Sequence, residues 1–422
     1  MHKKTTFNNK VRLITVPSKD TKAVTVLFLF GVGSRYESKN VNGVSHFIEH
    51  LMFKGTKKRP TTLDISKELD SVGAEFNAMT SKDYTGYYIR IDNKKAELAV
   101  DILSDMLLNS KFENIEINRE RGVIVEEINM YHDNPLMHVE TILEESIYSG
   151  NSLGWDVAGP ASVIRKVTRK QIIDYKNKFY RPDNVVVVVA GKMTDKVTKM
   201  IEEKFVNKFG VQTEPLEPFK NYNIVQKEPR VKVQYKDTKQ VQLAIGFPSF
   251  SNKTDDKYAL NLMTIILGGN MSSRLFISVR ERRGLCYFIR CFPNYYQDTG
   301  NIVIQAGLDK SRIEEAIKVI IQELDRIKKK GVTQKELNDA KAYIRGKTIL
   351  SLENTSSLAE YYSKQELLSG ELLSPDQKFK KIQKVTRADI QNISKTVFDM
   401  KKINLALIGP FKSKDRFEKL FR

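Results

Sequence analysis

Cysteine is nearly absent from this sequence: only Cys286 and Cys291 occur, five positions apart. Two such residues frame no disulfide-stapled fold, so a reducing compartment, the cytoplasm, is the expectation. Long apolar runs are missing as well, and no stretch approaches the roughly 18 uninterrupted apolar residues of a membrane span. The basic start MHKKTTFNNKVRLITVPS leads only into a short VRLITV without a small-residue cleavage site, which reads as a first strand and not as a secretory signal. Histidine is scarce too, with five in 422 residues.

Acidic residues are outnumbered, 51 against 70 Lys and Arg, for a formal net charge of +19. Such an excess invites a nucleic-acid partner. Yet the basic residues are spread along the chain and interleaved with acids, as in Asp92–Leu98, and the dense runs Lys57–Arg59 and Lys328–Lys330 are short and fall at expected turns. They read as solvated faces, and no nucleic-acid partner is expected. With 41% hydrophobic residues, the chain has enough apolar material for two cores of about 200 residues each.

Pro215, Pro218 and Pro229 mark a polar linker over residues 211–230, between an N-terminal half (1–210) and a C-terminal half (231–422). The halves read alike. The first gives a strand at Val24–Phe30, helices at about Val44–Phe53 and Thr62–Val72, strands at Ala74–Thr80 and Tyr84–Asp92, and helices at Lys95–Leu108 and from Ile115 to about Tyr131. The second gives a strand at Val241–Gly246, helices at Lys257–Leu267 and Arg274–Arg283, strands at Cys286–Tyr295 and Asn301–Leu308, and helices near Arg312–Lys329 and Gln334–Leu350. Each closes on an apolar strand, Asn184–Ala190 and Ile403–Ile408. Leu63-x-Ile65-Ser66 recurs as Leu275-x-Ile277-Ser278, an offset of 212. The expected fold is α+β: a duplicated unit, each a mostly antiparallel sheet with helices packed on one face.

Two of the five histidines fall in His46-Phe47-Ile48-Glu49-His50. On a helix, His46 and His50 project from one face a turn apart, and two imidazoles so placed can share one tetrahedral zinc with Glu49 on the adjoining flank. H-x-x-E-H is the inverse of the H-E-x-x-H zinc motif. A catalytic zinc needs a third protein ligand and an open position for water. The stretch Arg119–Glu127 supplies acids: Glu120 and Glu127 are seven apart and share a helix face, whereas Glu126 points about 100° from Glu127. Glu127 is therefore the expected third ligand, with Glu120 orienting the site from behind. His132 and His138 read as surface residues.

His46-x-x-Glu49-His50 followed 77 residues later by Glu127, the run Gly73–Thr80, the Arg119–Glu127 stretch with Met130-Tyr131, and Arg181-Pro182-Asp-Asn-Val together resemble the pitrilysin and mitochondrial-processing-peptidase family of zinc proteases. The resemblance covers nearly the whole chain and is nearest to the short β-subunit-like and bacterial members. It implies a zinc metalloendopeptidase with one Zn²⁺ per chain and two related halves, closing like a clam. It also implies pairing of chains. Gly268-Gly269 is a short turn and not an extended glycine-rich loop, so a self-sufficient homodimer is expected in place of a non-catalytic partner. The 212 offset carries His46, Glu49 and His50 onto Tyr258, Asn261 and Leu262, which offer no zinc site. In the family, an arginine and a tyrosine seven apart in this half serve the oxyanion, and Arg280 and Tyr287 match them. The strand with Asn77, Ala78 and Met79, together with Phe47, is expected to bind an extended, unfolded peptide by strand addition. The competing reading is a catalytically silent scaffold of the same fold, like the core subunits of respiratory complexes.

Overall fold

A computed structural model describes residues 2–212 and 214–421. The chain divides into two compact units that are not contiguous in sequence: the chain up to Ile128, with Trp155–Lys220 and Thr348–Ser374, and Asn129–Gly154 with Asn221–Lys347 and the chain from Pro375. A single cut at the linker therefore misses two exchanged segments. Residues 129–154 belong to the second unit and 348–374 to the first.

The first unit holds six strands, β1 (Lys3–Thr6), β2 (Arg12–Pro17), β3 (Ala23–Phe30), β4 (Glu75–Thr80), β5 (Thr85–Asp92) and β6 (Val185–Gly191), in the order β1-β2-β6-β3-β5-β4. The second holds β7 (Arg230–Tyr235), β8 (Gln240–Ser249), β9 (Cys286–Tyr295), β10 (Gly300–Asp309) and β11 (Asn404–Gly409), in the order β7-β11-β8-β10-β9. Without β1 the two orders superpose position for position. Each sheet has one parallel pair, β2 with β6 and β11 with β7, and its other pairings are antiparallel. The duplication read from the sequence is thus a duplication of topology.

The strands sort their side chains by alternation. In β3, Val24, Val26, Phe28 and Phe30 enter the main core of the first unit, while Leu27 points to the opposite face beside Ile14, Val16, Val186, Val188 and Ala190. β6 is apolar without alternation and buried throughout, as a strand covered on both faces must be. The main face carries the first four helices, α1 (Val44–Met52), α2 (Thr62–Asp70), α3 (Ala96–Asn109) and α4 (Asn114–Asp133), whose apolar stripes join the main core. The other face is covered by the helix Thr355–Lys364, through Ala359 and Tyr362. The second unit follows suit: α5 (Pro135–Ile147) lays Val139, Leu143 and Ile147 against Ala244, Val303, Ala406 and Ile408. The helix expected at Arg274–Arg283 is wound more widely over Phe276–Glu281, with the Arg282 amide bonded to the Ile277 carbonyl, five residues back. Among the described residues no helix is long and apolar enough to cross a membrane.

Candidate metal centre

Helix α1 runs Val-Ser-His-Phe-Ile-Glu-His-Leu-Met. Val44, Phe47, Ile48, Leu51 and Met52 form its buried stripe and anchor it in the main core. That burial turns His46, Glu49 and His50 to the remaining face. The Nε2 atoms of His46 and His50 are 3.2 Å apart. Glu127 comes from α4, where Ile117, Ile124, Val125 and Ile128 are buried and fix the phase of the helix. Its Oε2 lies 3.6 Å from His46 Nε2 and 3.3 Å from His50 Nε2. Zinc–ligand bonds of 2.0–2.2 Å in a tetrahedron separate neighbouring ligand atoms by about 3.4 Å. The three atoms already stand at the corners of one tetrahedral face, and these residues fit zinc. Among the described residues no other group of three His, Cys, Asp or Glu side chains comes so close together. Glu126 is exposed, as its helical phase requires.

Glu120, one heptad before Glu127, is almost fully buried. Its Oε1 lies 2.9 Å from His50 Nδ1, which leaves His50 Nε2 for the metal, and its Oε2 pairs with Lys54 Nζ at 2.7 Å. Burial alone would raise the Glu120 carboxyl, but its hydrogen bonds to His50 and Lys54 outweigh that and hold it below the usual range. The two imidazoles are set apart in basicity. Burial works against a charge on both. At His50, hydrogen bonds and charge from Glu120 and Glu127 overcome it and raise the imidazole to about 9, whereas His46, beside His50, is pushed down to about 4. His46 Nδ1 is buried without a hydrogen-bond partner among the described residues.

Glu49 is raised above the ordinary carboxylate value, chiefly by burial and against the hydrogen bond that the Thr80 hydroxyl donates to its Oε2. Thr80 ends β4, one of the two edge strands of the sheet. Asn77, Ala78 and Met79 lie on the same strand, which is paired on one side only, with β5. The expectation for Phe47 fails. One residue on from His46, it is rotated about 100° round the helix and is fully buried in the core, out of reach of any substrate. Arg280 and Tyr287 lie in the second unit. Tyr287 is 74% exposed, and the Arg280 guanidinium stands 4.6 Å from the Phe276 ring centre and 5.9 Å from that of Tyr287. At the positions that the repeat matches to the motif, Tyr258 and Leu262 are buried in the core of that unit, and Asn261 accepts a hydrogen bond from Tyr295. His132 is exposed and His138 partly so, with their rings 4.5 Å apart. Sequence reasoning passed over Lys54 and the hydroxyl of Thr80. Both are close in sequence to elements it had already singled out, but only the fold brings them to Glu120 and Glu49.

Comparison with known proteins gives a consistent picture. The description "Insulinase (Peptidase family M16)" matches residues 12–161, and "Peptidase M16 inactive domain" matches residues 166–344. An uncharacterized zinc protease of Streptomyces coelicolor is 33% identical, covering 98% of this chain and 90% of its own. The uncharacterized zinc protease YmxG of Bacillus subtilis is also 33% identical, over 97% of this chain and 98% of its own. The crystal structure of a protease from Helicobacter pylori shares the fold with a TM-score of 0.92 at 23% identity, over 97% of this chain and 99% of that one. A chain of Complex III2 from Candida albicans shares it at a TM-score of 0.86 and 18% identity, over 99% of both chains.

Proposed function

Because the chain belongs to the M16, or insulinase, family of peptidases, we propose that it is a zinc metalloendopeptidase acting on extended, unfolded peptides, with one zinc per chain. The fold does not carry this reading, since a chain of Complex III2 has the same fold. The ligand set does: two imidazole nitrogens and a carboxylate oxygen, 3.2 to 3.6 Å apart, beside the half-buried Glu49 carboxylate, which is not a ligand.

His46, His50 and Glu127 would hold the metal, which when bound acidifies a water and polarises the scissile carbonyl. Glu49 accepts the proton of the attacking water and delivers it to the leaving amine. Burial raises its basicity and makes it a better proton acceptor, and the Thr80 hydroxyl holds the carboxylate in one orientation. Glu120 fixes the ring of His50. The open edge of β4, at Asn77, Ala78 and Met79, offers backbone groups to an extended peptide and so selects unfolded segments over folded ones. Arg280 and Tyr287 are assigned to the oxyanion by the family resemblance, as a cation and a phenol able to stabilise developing charge. The same resemblance supports a homodimer, which light scattering on the eluted protein checks, and the two free cysteines suit a cytoplasmic location.

The test is metal analysis of the purified protein, paired with cleavage of a quenched peptide before and after chelation. Zinc with cleavage that chelation stops and zinc restores is the expected result. A zinc-free protein without cleavage would return the chain to the scaffold reading.

A further inference from the structure

Helix α1 begins at a glycine. Gly43, its N-cap, has φ +95° and no side chain with which to cap the helix. Serine, aspartate or asparagine, the usual caps, cannot stand there, because a Cβ on Gly43 would lie 2.4 Å from the Ala158 carbonyl oxygen. Two amides at the start of the helix, those of Gly43 and Ser45, are nevertheless satisfied. Glu37, six residues upstream and 5% exposed, accepts hydrogen bonds from the Gly43 amide at 2.7 Å and the Asn42 Nδ2 at 2.9 Å on Oε2, and from the Ser45 amide at 2.8 Å on Oε1. A buried carboxylate is costly unless paired or hydrogen-bonded, and here it meets three N–H donors at the positive end of a helix.

Glu37 is itself held in place. The amides of Ser34 and Arg35 bond to the carbonyls of Ser81 and Lys82, each at 3.1 Å. The buried Arg35 pairs with the buried Asp83 at 3.0 Å, and its guanidinium lies 3.6 Å from the centre of the Phe219 ring. Residues 34–37 thus strap the turn between β4 and β5 to the start of α1. On the far side, the Ser45 hydroxyl bonds to the Tyr175 hydroxyl at 3.0 Å.

We propose that Glu37 is a positioning residue for the metal centre: it supplies the cap that Gly43 cannot and thereby sets the first turn of α1, which carries His46. This rests on the metal-binding reading of His46, His50 and Glu127 given above. His46 is the third residue of the helix, directly after Ser45, whose amide Glu37 holds, whereas Glu49 and His50 lie a turn further on and are fixed independently by Thr80 and Glu120. Loss of the cap therefore displaces one ligand and leaves the other groups in place. The carboxylate is specific to the task. A glutamine has one acceptor oxygen, and its amide NH₂ would face either the Gly43 or the Ser45 N–H.

The experiment uses the full-length protein and its Glu37→Gln and Glu37→Asp variants, with circular dichroism to confirm folding. Zinc affinity is measured by competition with a chelator, the visible spectrum is recorded with cobalt in place of zinc, and kcat and KM are measured per bound metal. Expected for Glu37→Gln are zinc affinity lower by about 10- to 100-fold, the range for lost supporting contacts, an altered cobalt spectrum, and a lower kcat with KM within about twofold. Glu37→Asp, which keeps the charge one methylene short, should fall between; should Glu37→Gln not fold, the aspartate variant alone decides, by the same shifts. A folded Glu37→Gln variant with wild-type zinc affinity, cobalt spectrum and kcat per metal would overturn the proposal and leave the metal site standing. Wild-type protein that binds no metal would instead overturn the functional reading on which it rests.

Discussion

The first unit's α1 and the second unit's helix Asp256–Gly268 follow equivalent strands, β3 and β8, and the 212 offset lays one on the other. The first turns His46, Glu49 and His50 out of the core. The second spends the matching positions on Tyr258 and Leu262, 3% and 0% exposed, and on Asn261, bonded to Tyr295. A helix on a sheet needs one apolar stripe, and α1 confines its stripe to one side so that the other can hold polar groups. The second helix has spread its apolar surface around to where ligands would stand. Duplicated topology therefore does not duplicate chemistry; only the residues on one helical face decide that.

The largest effect that tests this contrast is on turnover. Glu49→Gln should keep its zinc and lose about 10³-fold in kcat, within the range of general acid–base catalysis, as read by peptide cleavage beside metal analysis. Next comes metal retention. His50→Ala should lose stoichiometric zinc, whereas grafting Tyr258→His, Asn261→Glu and Leu262→His into the second helix should capture none. The graft should also destabilise the protein, since replacing buried Leu262 alone costs about 2–5 kcal/mol, seen as a lower denaturation midpoint. A second zinc in the grafted protein would break the contrast. Smaller again, Glu120→Gln should weaken zinc binding by about 10- to 100-fold without abolishing it, measured by chelator competition.

The smallest effect is a proton count. Metal binding needs both imidazoles neutral. In the metal-free protein His50, raised to about 9, is protonated at neutral pH, and His46, lowered to about 4, is not. Zinc should therefore release about one proton between these two values, and its apparent affinity should rise with pH until His50 has lost its proton. Calorimetry in buffers of different ionisation enthalpy reads the number directly. No release at pH 7.5 would contradict the assignment.

Much of this site was legible because it is written in helical periods. His46 and His50 are one turn apart, and Glu120 and Glu127 two, so the spacing of each pair alone declares the face it shares. Phe47 shows the limit of reading by adjacency: next to a ligand in sequence, it points a quarter-turn away, into the core. Thr80 and Lys54 were illegible for a different reason, since their partners come from other elements and no local pattern records such meetings. Most strands were legible from alternation and apolar runs, with edges within a few residues of expectation, but the edge strands β1 and β7, short and largely polar, were not. The exchanged helices, α5 and Thr355–Lys364, were not. Which sheet an amphipathic helix covers is settled by packing over a long sequence separation, and a contiguous division at the linker follows naturally when that is unseen.

One zinc per chain, held by the first unit and working with Glu49, is the function proposed for this protein. Zinc content and peptide cleavage measured side by side on the wild-type chain and its Glu49→Gln variant test it most directly. About one zinc per chain is expected in both, with cleavage by the wild type alone. Cleavage of equal rate by both proteins, or a wild-type chain that cleaves without zinc, would contradict it.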